Sequence, residues 1–240
     1  MVTARHASAA PPAPAAHPIF SNAVGGVACL DFVNTTGGWS PAAGDDRTLH
    51  PRDVVRSERL TTYERLVEWA GWIGVMDEDR AREAAARGRA NRRAAAGVLR
   101  RAIRLRAAIY ALGGAAAEQR APALEDLALL NQEVRAARRH EHLVFVDGRA
   151  GAGRYAVAFD DPTALDAMLW PIALSAADLF ASDRVRRIGR CPASTCGWLF
   201  LDTSRSGRRH WCDMAVCGNA DKVRRFRERQ RARNTGRHRA

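Results

Sequence analysis

The chain has 240 residues, enough for one large domain or two small ones, and 47% of them are hydrophobic, so a packed core is within reach. No run of eighteen apolar residues occurs, so no helical membrane span is expected. The net charge of +12 is uneven: sixteen of the 38 basic residues and four of the 26 acidic ones follow Asp183, so the last quarter carries the whole excess. A neutral body with a basic end is the charge layout of a polyanion binder.

The start, "MVTARHASAAPPAPAAHPIF", is rich in Ala and Pro, and residues 1–20 are expected to be a disordered tail. It lacks the continuous apolar stretch of a secretory signal, so a cytoplasmic location is expected. In a reducing compartment, paired cysteines bind metal more often than they form disulfides. "GGVACLDFVNT", Gly25 to Thr35, is short and apolar, and fits either a strand or a buried first turn of a helix. A polar Gly/Pro-rich loop follows from Gly37 to about Pro51.

Thr61 or Thr62 is placed to cap a helix whose Leu66, Val67, Ala70 and Ile73 share one face. Asp77 opens a second helix with acidic residues in its first turn. "NRRAAAGVLRRAIRLRAAIYAL" predicts a third, with Val98, Leu99, Ala102, Ile103, Leu105, Ile109 and Leu112 apolar and its arginines on a solvated face. Pro122 opens a fourth. "HLVFVDGRAGAGRYAVAF" predicts a β-hairpin, since no P-loop lysine follows its glycines. A fifth helix is expected from Asp161-Pro162, kinked at Pro171.

The last segment, "RCPASTCGWLFLDTSRSGRRHWCDMAVCGNADKVRRFRERQR", holds four of the five cysteines. Cys191 and Cys196 are separated by four residues, as are Cys212 and Cys217, and fifteen residues lie between the pairs. Each pair can wrap one side of a tetrahedral ion, and thiolates suit zinc. The other readings are reduced core cysteines or two disulfides. A site filled by four cysteines has no open position, so one structural Zn2+ is expected. The lone Cys29 is expected in the core. "WLFLDTSRSGRRHW" predicts a hairpin with Ser206-Gly207 near its turn, and a helix is expected from about Asp221, with Val223 and Phe226 docking it on the module. On the hairpin Arg205, Arg208, Arg209 and His210, and on the helix Lys222, Arg224, Arg225, Arg227, Arg229 and Arg231, are the candidate nucleic-acid contacts.

These residues resemble the CGNR zinc-finger family, through the two cysteine pairs, Trp211 before Cys212, and Cys217-Gly218-Asn219. Ala220 stands where the family usually has Arg. Upstream, "CLDFVNT", "YERLVEWAGWIGVM" and "RLRAAIYAL" resemble the ABATE domain. The resemblance implies a stress-linked bacterial transcription regulator. The expected fold is α+β: a mainly helical N-terminal domain with a short β-hairpin, then a treble-clef-like or ribbon-like zinc module ending in a basic helix. The boundaries expected are 1–20 tail, 21–183 ABATE-like sensing or dimerisation domain, 184–232 zinc finger and 233–240 basic disordered tail.

Asp31, Asn34 and Trp39, with Trp69 and Trp72, are candidates to line a ligand pocket. Alternatively, Asp31 and Asn34 cap helices or tie down the loop, and the tryptophans are core. No Gly-x-Ser-x-Gly, His-Glu-x-x-His or Walker loop is present, and His50, His140 and His142 form no catalytic pattern, so an enzyme is not expected. The expected partner is duplex DNA, with a homodimer and a small-molecule effector as further candidates and no membrane. The alternatives are an RNA- or ribosome-associated zinc protein, or a small-molecule enzyme with a zinc-stabilised tail.

Overall fold

The computed structural model describes residues 14–20, 22–40, 54, 55, 57–146 and 153–237; the side chains of Ser40, Val54 and 231–237 are not described. Residues 1–13 of the expected tail, and most of the loop that follows Trp39, lie outside the described residues. Residues 14–20 lie against the body. The Trp72 indole donates to the carbonyl of Ala15 at 2.9 Å, and Phe20 is buried with its ring stacked on Trp72.

"ACLDFV" forms helix α1 (Ala28–Val33), whose Cys29, Leu30, Phe32 and Val33 are buried. Burial pushes the Cys29 thiol up to about 12, so it stays protonated and packs as a small apolar group. Two short paired strands follow, β1 (Trp39–Ser40) and β2 (Val54–Val55). In α2 (Tyr63–Trp72), Thr62 is the N-cap and accepts from the Arg65 N–H. Leu66, Trp69 and Ala70 turn its apolar stripe inward. In α3 (Glu78–Ala90), Asp77 caps through the Arg80 N–H at 2.9 Å.

The long α4 (Arg92–Ala117) is the axis of the body, with Ala102, Leu105, Ile109 and Leu112 buried along it. Its arginines are not all solvated. Arg106 is 1% exposed and pairs with Glu58, while Arg101 clamps Glu133 and Asp166 at 2.7 and 2.8 Å. An unpaired guanidinium in that core would be costly, so the carboxylates are part of the same packing solution. Helix α5 (Leu124–Arg138) leads to the hairpin of β3 (Glu141–Val146) and β4 (Arg154–Phe159), paired antiparallel in continuous register from Glu141↔Phe159 to Val146↔Arg154.

Residues 162–168 form turns, and α6 starts only at Leu169 (Leu169–Phe180). Pro171 therefore sits in its first turn and kinks nothing. The first N–H groups of a helix have no intrahelical acceptor, so a missing one costs little there. Nearly all of α6 is core, including Trp170, Ile172, Leu174 and Leu179. Three helices, α1, α4 and α6, thus pack together at the body's centre, and α1 and α4 also touch the C-terminal module at β6. The fold is α+β, mainly helical, and no helix among the described residues is long and apolar enough to cross a membrane.

Candidate metal centre and basic face

A 3-10 turn (Asp183–Arg187) runs into β5 (Ile188–Arg190), which pairs antiparallel with β6 (Leu199–Leu201). The first cysteine loop is the tip of this hairpin. The strand partner of "LFL" is therefore the segment before Cys191, not Arg208–Trp211 as the sequence suggests. The reason is core geometry: Ile188, Leu199 and Leu201 are buried in the main core, whereas Arg208 and His210 are exposed. The tip closes through Cys191 N–H to Trp198 O at 2.8 Å and Cys196 N–H to Ala193 O at 2.9 Å. Gly197, at φ +64°, turns the chain out of it.

After β6, the Asp202 carboxylate accepts the N–H groups of Ser204 and Arg209, both at 2.8 Å, and shapes the next turn. The second cysteine loop is a single π turn, Met214–Gly218, capped by Asp213, whose carboxylate accepts from Ala215 and Val216. It continues directly into α7 (Asn219–Arg237).

The Sγ atoms of Cys191, Cys196, Cys212 and Cys217 all lie within 4.8 Å of one another, with Cys196 to Cys212 at 3.4 Å and Cys212 to Cys217 at 3.6 Å. Zn–S bonds of about 2.3 Å in a tetrahedron place sulfurs about 3.8 Å apart, so the donor set fits one zinc ion. Three of the cysteines are buried and Cys217 is half-buried. Backbone N–H groups of Ala193 and Trp198 point at the sulfurs of Cys191 and Cys196. Hydrogen bonds from Cys196 and Cys212 lower the Cys191 thiol, and those to Cys191 and Cys196 raise Cys212. A divalent ion would neutralise charge at all four and cross-link both loops. With four cysteine ligands the site is closed and structural. The module's own apolar cluster is small: the three buried cysteines and Phe200, with Val24, Trp198 and Trp211 at its edge.

The module is built into the body. Trp39 N–H donates to Cys196 O at 2.7 Å, and Tyr110 stacks on Trp39 at 3.9 Å while its hydroxyl reaches Gly197 O. Leu201 N–H donates to Gly25 O at 2.8 Å. A Cβ on Gly113 of α4 would lie 2.6 Å from Leu199, so helix and strand touch there.

The three candidate pocket residues lie along this seam. Asp31 Oδ1 accepts the Gly25 N–H at 2.7 Å, and burial pushes its carboxyl up to about 7. The Asn34 amide bonds both backbone groups of Leu199, and the Trp39 indole donates to Val33 O at 3.3 Å. Trp69 is fully buried beside Phe32. Clefts of about 450 Å3 between α2 and α3 and about 410 Å3 on the finger are lined by other residues, with Trp72 in the first.

The basic candidates separate into groups. Arg205, Arg208 and His210 are exposed on the turn after β6, and Lys222, Arg224, Arg225, Arg227 and Arg229 are exposed on α7. Arg231 lies on α7, but its side chain is outside the described residues. Arg224 and Arg225 share Asp221, and Arg224 also meets Glu228 at 2.9 Å. Among the described residues, Lys222, Arg227 and Arg229 have no acidic partner. Arg209 turns inward: its guanidinium lies 4.6 Å over the Phe200 ring and donates to the carbonyls of Val24, Leu201, Trp211 and Cys212. No local signal separates it from Arg208. Val223 and Phe226 do not dock α7; they are 48% and 55% exposed.

Residues 26–183 match the ABATE family, described as "Putative stress-induced transcription regulator", and residues 187–230 match the CGNR zinc finger. A search of curated proteins finds no match. The ABATE match spans well over half of the chain and is followed directly by the finger whose four cysteines converge on one metal-sized site, so this chain belongs to the ABATE family and carries a C-terminal CGNR zinc finger.

Proposed function

We propose that the protein is a zinc-dependent, duplex-DNA-binding transcription regulator of the bacterial cytoplasm, with the ABATE domain as its sensing or dimerising part. The observation that carries this is the concentration of the whole +12 excess after Asp183, together with the exposure of Lys222, Arg224, Arg225, Arg227 and Arg229 on a helix that starts at the second cysteine loop. Helix α7 has 19 residues and is about 28 Å long, and a helix of ordinary diameter fits the major groove. Phosphate contacts by its arginines release counterions, so affinity falls steeply with salt. Zinc acts indirectly, by holding Cys217 and hence the start of α7 against the hairpin.

The test is titration of the zinc-loaded full-length protein, and of Cys212→Ser, against duplex DNA, single-stranded DNA and RNA at two salt concentrations. Salt-sensitive duplex binding that the variant loses supports the proposal. Preference for RNA moves the function to an RNA- or ribosome-associated role. No binding even at low salt overturns the basic face as a polyanion site.

A further inference from the structure

One face of the β3–β4 hairpin leaves Leu143, Phe145 and Tyr155 in water, while at its foot Phe159 rests on Trp170 of α6. Opposed residues of an antiparallel pair share a face. Ala156 and Ala158, opposite Val144 and His142, are buried. On the other face, Phe145 opposes Tyr155 and Leu143 opposes Val157. There Leu143 is 71% exposed, Phe145 57% and Tyr155 77%, with the two aromatic rings edge-on at 5.3 Å. Among the described residues no charged side chain interrupts this face between Glu141 and the turn, and the sheet has two strands. A two-stranded hairpin with an apolar outer face is marginal in water unless another layer covers it.

We infer that the cover is a second copy of this chain, which packs its own β3–β4 hairpin face to face on Leu143, Phe145, Tyr155 and Val157. A twofold interface must be complementary to itself, and an uncharged apolar face is. The excess charge of the chain lies after Asp183, so the electrically balanced bodies meet without net repulsion. The exposed parts of the three large side chains sum to about 400 Å2 per copy. With flanking atoms, two copies would bury roughly 1,000–1,200 Å2, the lower end of specific interfaces, so a micromolar dimer is expected. The pairing needs no nucleic acid and stands apart from the DNA-binding proposal. Where both hold, it carries two basic helices in one particle and raises affinity through effective concentration.

The test is sedimentation equilibrium of the zinc-loaded full-length protein up to about 100 µM, well above a micromolar Kd. The wild type is expected to approach twice its 26.3 kDa mass as concentration rises. Phe145→Glu and, independently, Tyr155→Ser should raise the dissociation constant at least about tenfold, with unchanged zinc content and helical circular dichroism. Tyr155→Ser touches no buried group and keeps the test open if Phe145→Glu fails to fold. A wild type that stays at 26.3 kDa throughout overturns the inference and leaves the face to a different occupant. Dimers that persist in a folded variant overturn it as well.

Discussion

The side-chain amide of Asn34 bonds to the backbone of Leu199 as a neighbouring strand would: Nδ2 donates to the Leu199 carbonyl at 2.8 Å, and the Leu199 N–H donates to Oδ1 at 3.1 Å. Two residues on, the same edge of β6 is met by the Gly25 carbonyl. Body and finger thus share a short, irregular sheet edge. Asn34→Ala would leave both Leu199 groups buried and unpaired, at a cost of about 3 kcal/mol. Denaturant unfolding of the zinc-loaded protein should show that loss. Zinc affinity should fall with it, because Leu199 follows Cys196 by three residues. Unchanged stability would mean that the edge is not shared in solution.

Gly38 and the first cysteine loop approach closely. At φ +138°, with a Cβ that would lie 2.3 Å from the Thr195 carbonyl oxygen, Gly38 has no room for a side chain. Gly38→Ala is expected to cost about 2–4 kcal/mol and to weaken zinc binding, since the loop must shift to admit the methyl group. Competition with a chromogenic chelator measures the second effect. Gly97→Ala on α4, where space is open, is the control and should be neutral or slightly stabilising.

Metal removal should divide the protein in two. The finger's apolar cluster is too small to hold α7, whereas the core around α1, α4 and α6 contains no metal ligand. Chelation or Cys212→Ser should free the residues after Leu201 to exchange amide hydrogens rapidly, while α4 and α6 stay protected. Equal loss of protection in α6 would refute this division.

Arg209 and Arg227 should fail differently. Arg209→Ala removes donors to four carbonyls and a cation over Phe200, and is expected to destabilise the finger by about 3 kcal/mol without any nucleic acid present. Arg227→Ala should leave thermal stability within about 0.5 kcal/mol. If α7 grips phosphates, it should weaken DNA binding and lower the salt slope by about one. A melting curve and a salt titration on each variant separate brace from contact.

Asp31 should make stability pH-dependent. Burial raises its folded pKa to about 7, against the opposing effects of the Gly25 N–H and Arg209, while the unfolded chain titrates near 3.8. Between those values the folded state holds the extra proton. The contribution is therefore complete below about pH 4 and is lost as pH rises through 7, with an upper bound of about 4 kcal/mol. Asp31→Asn keeps an acceptor for the Gly25 N–H and should flatten this part of the profile. Urea unfolding at pH 5.5 and 8 compares the two proteins; equal slopes would remove Asp31 as the cause.

The sequence by itself determined the features written in short-range pattern. The spacing of Cys191, Cys196, Cys212 and Cys217 dictates a four-thiolate site because each pair is a local loop. Thr62 and Asp77 mark helix starts because a cap acts within three residues. The charge partition is visible because it is a sum. Tertiary structure alone decided the rest. Asn34 meets Leu199 across 165 residues and Arg209 meets Val24 across 185, and contacts so distant leave no period to read. Arg208 and Arg209 are the same residue type side by side, yet one faces solvent and the other is spent on carbonyls. "LFL" pairs with Ile188–Arg190 because Leu199 and Leu201 must reach the body's core while Arg208 and His210 stay in water, a choice made by what α1 and α4 leave uncovered.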